Sequence, residues 1–384
     1  MSADKGAFRV KDWWWSKAAL LMGMVYLFTL WFGIHFKQFI PLALLSLCTI
    51  AGFASMGYLL NDLFDMKQDM LSVKRNFLIA KPFLHIITFF LLSSAFIFLP
   101  WIILPASSFS YLLITFELYL FLIYSVPPVR LKERGMAGIV VDALYAHAVP
   151  VGLAAYTFSL AAGVPLPRVG LLLLFTWQFA SGIRNILLHQ LTDAALDKHA
   201  GVKNFVATMS NTGFSFSLKY LIITELLSSL AFFVFLTLSN TPFVACVLVI
   251  IISSITVLRL FYNGGIPEML ASKWKYYPNI LYEKWLPPLF LLILCTYDKL
   301  FIPVLLLHLA LFNFDFYIQL VRPLYAIRNW GRIKLRILWK DYIFVAGANL
   351  VNYSIYYALR LFGINLKREN TSALSYFKKR WGKS

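Results

Sequence analysis

Long apolar runs separated by short polar segments dominate this 384-residue sequence. Eight runs approach the roughly 20 residues that a helix needs to cross a bilayer. They are 18–36, 38–60, 83–103, 108–125, 137–158, 168–190, 215–237 and 241–262. Only helices or closed barrels span membranes, and runs of this length favour helices. The pattern therefore predicts an all-α fold, a polytopic membrane helical bundle.

The polar loops alternate in charge. Lys and Arg are concentrated in 61–82, 126–136, 191–214 and 259–284, and are absent near 104–107, 159–167 and 238–240. By the positive-inside rule, the basic loops and the N-terminus lie on the cytoplasmic side. Residues 1–17 are predicted to form an amphipathic lead-in before the first span. This segment contains an interfacial aromatic anchor, Trp13–Trp15.

The chain after residue 284 follows a less regular pattern. We expect two crossings, a short or broken one at 285–297, interrupted by Pro287–Pro288, and a second at 300–318. Residues 342–359 favour an interfacial or re-entrant helix because a basic tail follows them. The whole chain is then expected to hold about nine to ten transmembrane helices.

Composition indicates the environment and the partners of the protein. Hydrophobic residues make up 60% of the chain and charged residues 14%, against about 25% charged in a soluble domain. The net charge of +18 fits basic loops that face anionic lipid. No basic domain stands apart from the membrane, so we expect no nucleic-acid partner. The location we expect is a bacterial or archaeal cell membrane.

The first candidate for chemistry is an acidic segment at the end of an apolar run. Read as helix, its Asn61, Asp62, Asp65 and Asp69 share an arc of roughly 100 degrees, at about 100 degrees per residue. Oxygen ligands suit hard cations, above all Mg²⁺, which usually bridges to a substrate phosphate. A helix cap or a solvated helix end is the alternative interpretation.

A second acidic pair repeats the first. Asp193 and Asp197 follow Asp65 and Asp69 at an offset of 128 positions, and the match continues without gaps. Arg75, Asn76 and Phe77 align in this way with Lys203, Asn204 and Phe205. Two matched copies, each ending an apolar run, favour a functional site.

Further polar residues lie at or inside the spans. Arg130 and Lys132 follow a Pro pair at the end of the fourth span, where they either reach a phosphate or are ordinary positive-inside charge. Asp142 and Arg184 lie inside the fifth and sixth spans, where ionisable residues are costly. Asp142 is expected either to orient an acceptor or to pair with Arg184.

The three segments together carry a family resemblance. Asn61–Asp69 reads N-D-x-x-D-x-x-x-D, Asp193–Asp197 reads D-x-x-x-D, and Tyr124–Lys132 reads Y-S-x-P-P-x-R-L-K. In this order they resemble the UbiA superfamily of intramembrane prenyltransferases, over about residues 10–265. The resemblance implies a core at 1–284 in two pseudo-repeated halves, about 18–136 and 137–265. Residues 285–384 would supply final membrane helices and a basic cytoplasmic extension.

The resemblance also implies roles for individual residues. The metal shell would be Asn61, Asp62, Asp65, Asp69, Asp193 and Asp197. The catalytic residues would be Asp65, Asp69, Asp193, Asp197 and Lys132. Substrate would be bound by Lys74, Arg75, Tyr124, Arg130, Lys132 and Lys203. Asp142 and Arg184 are further substrate-binding candidates because they are ionisable residues inside the spans.

The expected function is a Mg²⁺-dependent prenyltransferase whose active site faces the cytoplasm. It would move a polyprenyl group from its diphosphate to a lipophilic acceptor, aromatic or quinone-like, within the lipid bilayer. The alternatives are a transporter or binding protein for a lipid phosphate or cation, and a non-catalytic scaffold of the same fold.

Overall fold

The structure is a computed structural model that describes residues 10–71, 76–79, 81–199, 205–208, 211–239, 243–255, 257 and 276–312. Every regular element in this part of the chain is helical. Seven of its helices are long and apolar enough to cross a membrane. The protein is therefore an integral membrane helical bundle, as predicted. The count of nine to ten spans stays a prediction, because residues 313–384 lie outside the described part.

The helical segments are short at the N-terminus and longest around the acidic motifs. They are α1 (Val10–Trp13), α2 (Ala19–Trp31), α3 (Phe36–Leu71), α4 (Phe83–Phe98), α5 (Ser108–Ser125), α6 (Met136–Ala143), α7 (Val149–Ala162), α8 (Arg168–His199), α9 (Phe205–Thr208), α10 (Asn211–Leu238), α11 (Val244–Ile255), α12 (Tyr277–Ile280), α13 (Leu286–Tyr297) and α14 (Ile302–Phe312). Single π turns join α1 to α2, α6 to α7 and α12 to α13, at Trp14–Ala18, Leu144–Ala148 and Leu281–Trp285. Such turns often occur at functional sites because they re-aim the side chains around them.

Helix α2 lies at the centre of the bundle. Its residues from Ala19 to Leu30 are all buried, as expected for a helix that is apolar on every side. It packs against α3, α7 and α13. The residues just before α2, for which the sequence predicts an amphipathic lead-in with an interfacial aromatic anchor, pack into the bundle. Trp13 is buried in the core, and the Trp14 indole donates a hydrogen bond of 3.1 Å to the Leu311 carbonyl.

The two longest helices carry the two acidic motifs. Helix α3 continues without a break through Asn61–Asp69, and α8 continues through residues 193 and 197 to His199. Helix α3 packs against α4, and α8 packs against α10 and α6. The acidic motifs are therefore helical extensions of membrane spans, where the loop charge pattern had placed loop segments. The division into two repeated halves remains a prediction.

The segment after residue 276 corrects one expectation. Tyr277–Tyr297 forms one candidate span of 21 residues, so the first C-terminal crossing is neither short nor broken. Pro287 and Pro288 lie directly after the π turn at Leu281–Trp285, in the first turn of α13, and the helix continues through them. Helix α13 packs against α2 and α14, so the described residues after 284 belong to the same bundle.

Glycine permits the closest helix approaches. A Cβ at Gly52 of α3 would lie 2.7 Å from the Ile97 backbone nitrogen on α4, and one at Gly182 of α8 would lie 2.8 Å from Ala143 Cα on α6. Small residues at such positions let membrane helices pack backbone to backbone. These contacts fix how α3 and α8 approach their neighbours, and therefore how both acidic helices meet the cavity described next.

Candidate functional site

A cavity of about 940 Å³ lies between α2, α3, α5, the α6–α7 segment and α8. Its volume is in the usual range for a binding site of a small organic ligand. Most of its wall is apolar, from side chains such as Leu20, Val25, Ile50 and Leu153. Polar side chains of α3 and α8 also line the cavity, among them Asn61, Asp65, Asn185 and His189. The cavity therefore suits a ligand with a polar head and an apolar body.

The first acidic motif lies on the cavity wall. Asn61, Asp62, Asp65 and Asp69 all line it, which agrees with the shared helical face that their spacing predicts. Asp62 is 3% exposed. Carboxylates held this deep need partners, because an uncompensated buried charge is costly.

Asn76 holds the segment that follows α3 against this motif. Its Nδ2 donates to the Asp62 carbonyl at 2.6 Å and to Asp69 Oδ2 at 2.9 Å, and its Oδ1 accepts from the Leu78 N–H at 2.9 Å. Sequence reasoning gave Asn76 no role. The available signal was its alignment with Asn204 in the internal repeat. Asn76 is therefore a positioning residue for Asp69.

Two basic residues from the α5–α6 loop converge on Asp65. The Lys132 ammonium donates to Asp65 Oδ1 and Oδ2 at 2.6 and 2.5 Å and to Asn61 Oδ1 at 2.8 Å. Arg130 Nη2 donates to Asp65 Oδ1 at 2.7 Å, and its Nη1 donates to the Phe64 carbonyl at 3.1 Å. Both side chains are mostly buried. The structure thus brings this loop into contact with the first motif. The sequence had also allowed Arg130 and Lys132 to be ordinary positive-inside charge.

The backbone and charge state of this loop reflect that contact. Arg130 has a φ of 39°, a left-handed conformation that is uncommon outside glycine and occurs often at functional sites. Partial burial lowers the pKa of the Lys132 ammonium, and the Asp65 carboxylate opposes that shift by favouring the charged form. The positive charges of Arg130 and Lys132 therefore lie next to the Asp65 carboxylate of the acidic motif.

Asp142 and Tyr124 lie on the same cavity wall, beside Tyr145. The Tyr145 hydroxyl donates a short hydrogen bond to Asp142 Oδ1. The rings of Tyr124 and Tyr145 meet edge to face, with centroids 5.1 Å apart. Asp142 is thus paired with a tyrosine.

Arg184 lies behind the cavity wall and pairs with Glu225. Its Nε and Nη2 donate to the two Glu225 oxygens at 2.5 and 2.9 Å, and both side chains are fully buried. Its Nη2 and Nη1 also donate to Asn279 and Asn185 at 2.6 and 3.0 Å. The alternative pairing of Arg184 with Asp142 is therefore wrong. Arg184 reaches the cavity through the two asparagines, which do line it.

For the second acidic motif, the structure describes the helix but not the two aspartate side chains. Asn185 and His189 of α8 line the cavity, and positions 193 and 197 follow at the same interval of four residues. The side chains of Asp193 and Asp197 lie outside the described part of the chain. Lys74, Arg75 and Lys203, predicted to bind substrate, lie outside it as well.

The described donors fit a hard cation in chemistry. They are amide and carboxylate oxygens, which Mg²⁺ and Ca²⁺ prefer. Among the described side chains, however, no three His, Cys, Asp or Glu residues come together as a metal-binding group. The described side chains of the first motif therefore offer only part of a coordination shell.

Comparisons with known proteins identify the fold. No known family matches the sequence, and no curated protein matches it. A UbiA homologue from Aeropyrum pernix K1 has a similar structure, with a TM-score of 0.51 and 15% identity over 72% of this chain and 96% of that chain. This chain therefore has the UbiA fold, which the motif resemblance implied.

Two further solved structures show a weaker likeness. A UbiA homologue from Archaeoglobus fulgidus, solved with GPP and Mg²⁺, has a TM-score of 0.49 and 17% identity over 72% of this chain and 96% of that chain. A digeranylgeranylglyceryl phosphate synthase has a TM-score of 0.47 and 14% identity over 79% of this chain and 94% of that chain.

Proposed function

We propose that this protein is an intramembrane prenyltransferase that moves a polyprenyl group from its diphosphate to a lipophilic acceptor. One observation carries the proposal. Lys132 and Arg130 meet Asp65 and Asn61 at one end of an apolar cavity large enough for an organic substrate. The basic side chains suit the oxygens of a diphosphate, and the acidic side chains suit the cations that accompany it. The apolar wall suits an isoprenoid chain. The UbiA fold supports the same assignment.

Mg²⁺ is the metal that we propose, because it usually links carboxylates to substrate phosphates. Asn61, Asp62, Asp65 and Asp69 would hold it from α3, and Asp193 and Asp197 would hold it from α8. When bound, Mg²⁺ supplies charge neutralisation on the diphosphate leaving group.

The chain's own residues would then act on substrate in three ways. Arg130 and Lys132 hold the diphosphate by charge-assisted hydrogen bonds, and their charge stabilises the leaving group as its C–O bond breaks. Apolar side chains such as Leu153 exclude water from the electron-deficient allylic carbon. Aromatic faces such as Tyr58, also on the wall, are able to stabilise that positive charge. The acceptor attacks this carbon from the cavity.

A transporter or lipid-phosphate binding protein is the second candidate. Transporter sites lie near the bilayer midplane. Here the acidic residues occupy the last part of the candidate span Phe36–Lys67 and the helix beyond it. That placement at a helix end favours an enzyme that takes its charged group from one membrane surface.

The first test is removal of metal. Turnover of geranyl diphosphate by the purified protein should need Mg²⁺ and stop in EDTA, because the leaving group would keep its full charge. Excess Mg²⁺ added back should restore the activity, which controls for damage by the chelator. Product formation is measured by mass spectrometry. Undiminished turnover in EDTA would exclude a metal-dependent mechanism.

The second test concerns orientation. With Cys48, Cys246 and Cys295 replaced by alanine, a cysteine at the exposed position Lys67 should react only with reagent on the cytoplasmic side. The matched control is Val164→Cys, in an exposed loop without Lys or Arg, which should react only from outside. Labelling of Lys67→Cys from outside in intact cells would contradict a cytoplasmic active site.

A further inference from the structure

A second cavity lies against α7, on a different face of that helix from the cavity that the first acidic motif lines. It measures about 1120 Å³ and lies between α5, α7 and the first part of α8. Gly152 and Tyr156 line it, whereas Leu153 and Thr157 line the cavity of the acidic motif. We call this second cavity the α7 groove. The proposed handling of diphosphate uses none of its residues.

Exposed apolar side chains border the α7 groove on two sides. Phe109 and Phe116 contribute from α5, and Leu172 and Phe175 contribute from α8. Both helices belong to candidate membrane spans, so side chains exposed on them face hydrocarbon rather than water. The groove is therefore open to lipid, and an occupant enters it from the membrane.

Gly152 widens the groove. A Cβ at this position would meet no heavy atom within 4 Å, whereas one at Gly52 or Gly182 would lie 2.7 Å or 2.8 Å from the backbone of a neighbouring helix. Glycine weakens a helix interior, and no close helix contact requires it here. It instead leaves room for a ligand to approach the helix backbone. The space beside Gly152 is therefore available to a hydrocarbon chain.

The length of the groove matches one leaflet of a bilayer. From Gly163 to Gly152 the helix rises roughly 16 Å, at about 1.5 Å per residue. The hydrocarbon core of a bilayer is about 30 Å thick, and each leaflet supplies about half of it. Ala148 and Val149, both buried, continue the apolar wall beyond Gly152. A single acyl chain that enters at the Gly163 end therefore fits along α7.

Arg168 is the one charged side chain among the described residues that line the groove. It is exposed, and no hydrogen bond or ion pair joins it to another described residue. It is also the first residue of α8, where the helix dipole disfavours a cation, and no acidic residue lies in that turn. A phosphate at this end would accept charge-assisted hydrogen bonds from the guanidinium. The groove thus combines an apolar channel with one positive charge at its end.

From these observations we propose that the α7 groove binds an anionic phospholipid of the membrane, with one acyl chain beside Gly152 and the phosphate beside Arg168. Arg168 lies at the opposite end of α8 from the second acidic motif, so the lipid belongs to the leaflet away from that motif. A zwitterionic lipid with the same chains binds more weakly, because its own cation already compensates its phosphate. The site does not depend on the proposed function.

Native mass spectrometry of the delipidated full chain in detergent tests the site. The probes are phosphatidylglycerol and phosphatidylcholine with the same oleoyl chains, and geranylgeraniol as an uncharged isoprenoid. We expect the wild type to bind phosphatidylglycerol about tenfold more tightly than phosphatidylcholine, because only the former leaves its phosphate charge free for Arg168.

Two substitutions test the two parts of the site. Gly152→Leu fills the groove and should weaken phosphatidylglycerol binding by about tenfold or more. Its matched control is Gly152→Ala, which adds one carbon into open space and should bind as the wild type does. Arg168→Gln should bind phosphatidylglycerol no better than phosphatidylcholine. Its matched control is Lys299→Gln, an exposed basic residue outside the groove, which should keep the preference.

Three results would overturn the inference. They are unchanged phosphatidylglycerol binding by Gly152→Leu, a preference for phosphatidylglycerol retained by Arg168→Gln, and tighter binding of geranylgeraniol than of either phospholipid. The last result would assign the groove to an isoprenoid instead.

Thermal unfolding separates a loss of binding from a loss of fold. Phosphatidylglycerol should raise the melting temperature of the wild type and of Gly152→Ala but not of Gly152→Leu, since a ligand stabilises only a fold that binds it. Without lipid, Gly152→Leu should melt no lower than the wild type, because leucine favours a helix more than glycine does. Arg168→Gln, at an exposed position, tests the site without any change in packing.

Discussion

Asp65→Asn and Asp193→Asn should each reduce prenyl-diphosphate turnover by on the order of a hundredfold or more. The reason is that each would remove a ligand from one shared charge clamp around the diphosphate. Losing a metal ligand that stabilises leaving-group charge costs several kcal/mol, and about 1.4 kcal/mol corresponds to tenfold in rate. The double variant should be little slower than either single variant, since groups that act as a unit are not additive.

The Asp65→Asn change also removes contacts to basic side chains. Asp65 also holds Lys132 and Arg130, so its replacement releases two basic side chains as well as a metal ligand. The comparison with Asp193→Asn and with the double variant separates these effects. The matched control is Asp298→Asn, because Asp298 caps the Lys299–Phe301 turn through the Leu300 N–H and Asn caps about equally well.

Turnover is measured as prenyl-diphosphate consumption by purified, monodisperse protein. If Asp193→Asn keeps wild-type turnover while Asp65→Asn is inactive, the two motifs do not form one site. If both variants keep near-normal turnover, these carboxylates only solvate helix ends.

Glu225→Leu should destabilise the folded protein by about 3–5 kcal/mol, because it leaves the Arg184 guanidinium buried without its carboxylate. The pair is fully buried and joins α8 to α10. Glu225→Gln, which keeps an acceptor, should lose less. The double variant Arg184→Met with Glu225→Leu should recover most of the stability, since replacing a whole buried pair by apolar residues is often neutral.

Thermal unfolding in detergent measures these differences. A melting temperature for Glu225→Leu equal to that of the wild type would mean that the pair is not buried in the membrane protein. Turnover by the stable double variant also tests Arg184 as a substrate-binding residue. Preserved turnover would assign Arg184 a structural role, and lost turnover with preserved stability would support its predicted role through Asn185 and Asn279.

The sequence by itself determined the class of protein and the common helix face of the first acidic motif. Apolar runs of bilayer length require a helical membrane protein, because no other open structure satisfies its backbone in lipid. The spacing of Asn61, Asp62, Asp65 and Asp69 placed them on one helix face, and the structure puts all four on one cavity wall. These properties depend on local chain geometry, which the sequence encodes directly.

Only the tertiary structure decided which side chains meet across helices. Lys132 could have been surface charge, and its contact with Asp65 depends on where the α5–α6 loop crosses α3. Arg184 pairs with Glu225 because α8 packs against α10, an approach that no spacing within α8 reveals. Lys17, expected in an amphipathic lead-in, lines the cavity from a π turn. Periodicity fixes the face of a helix on which a residue lies, but the packing of the helices determines what that face contacts.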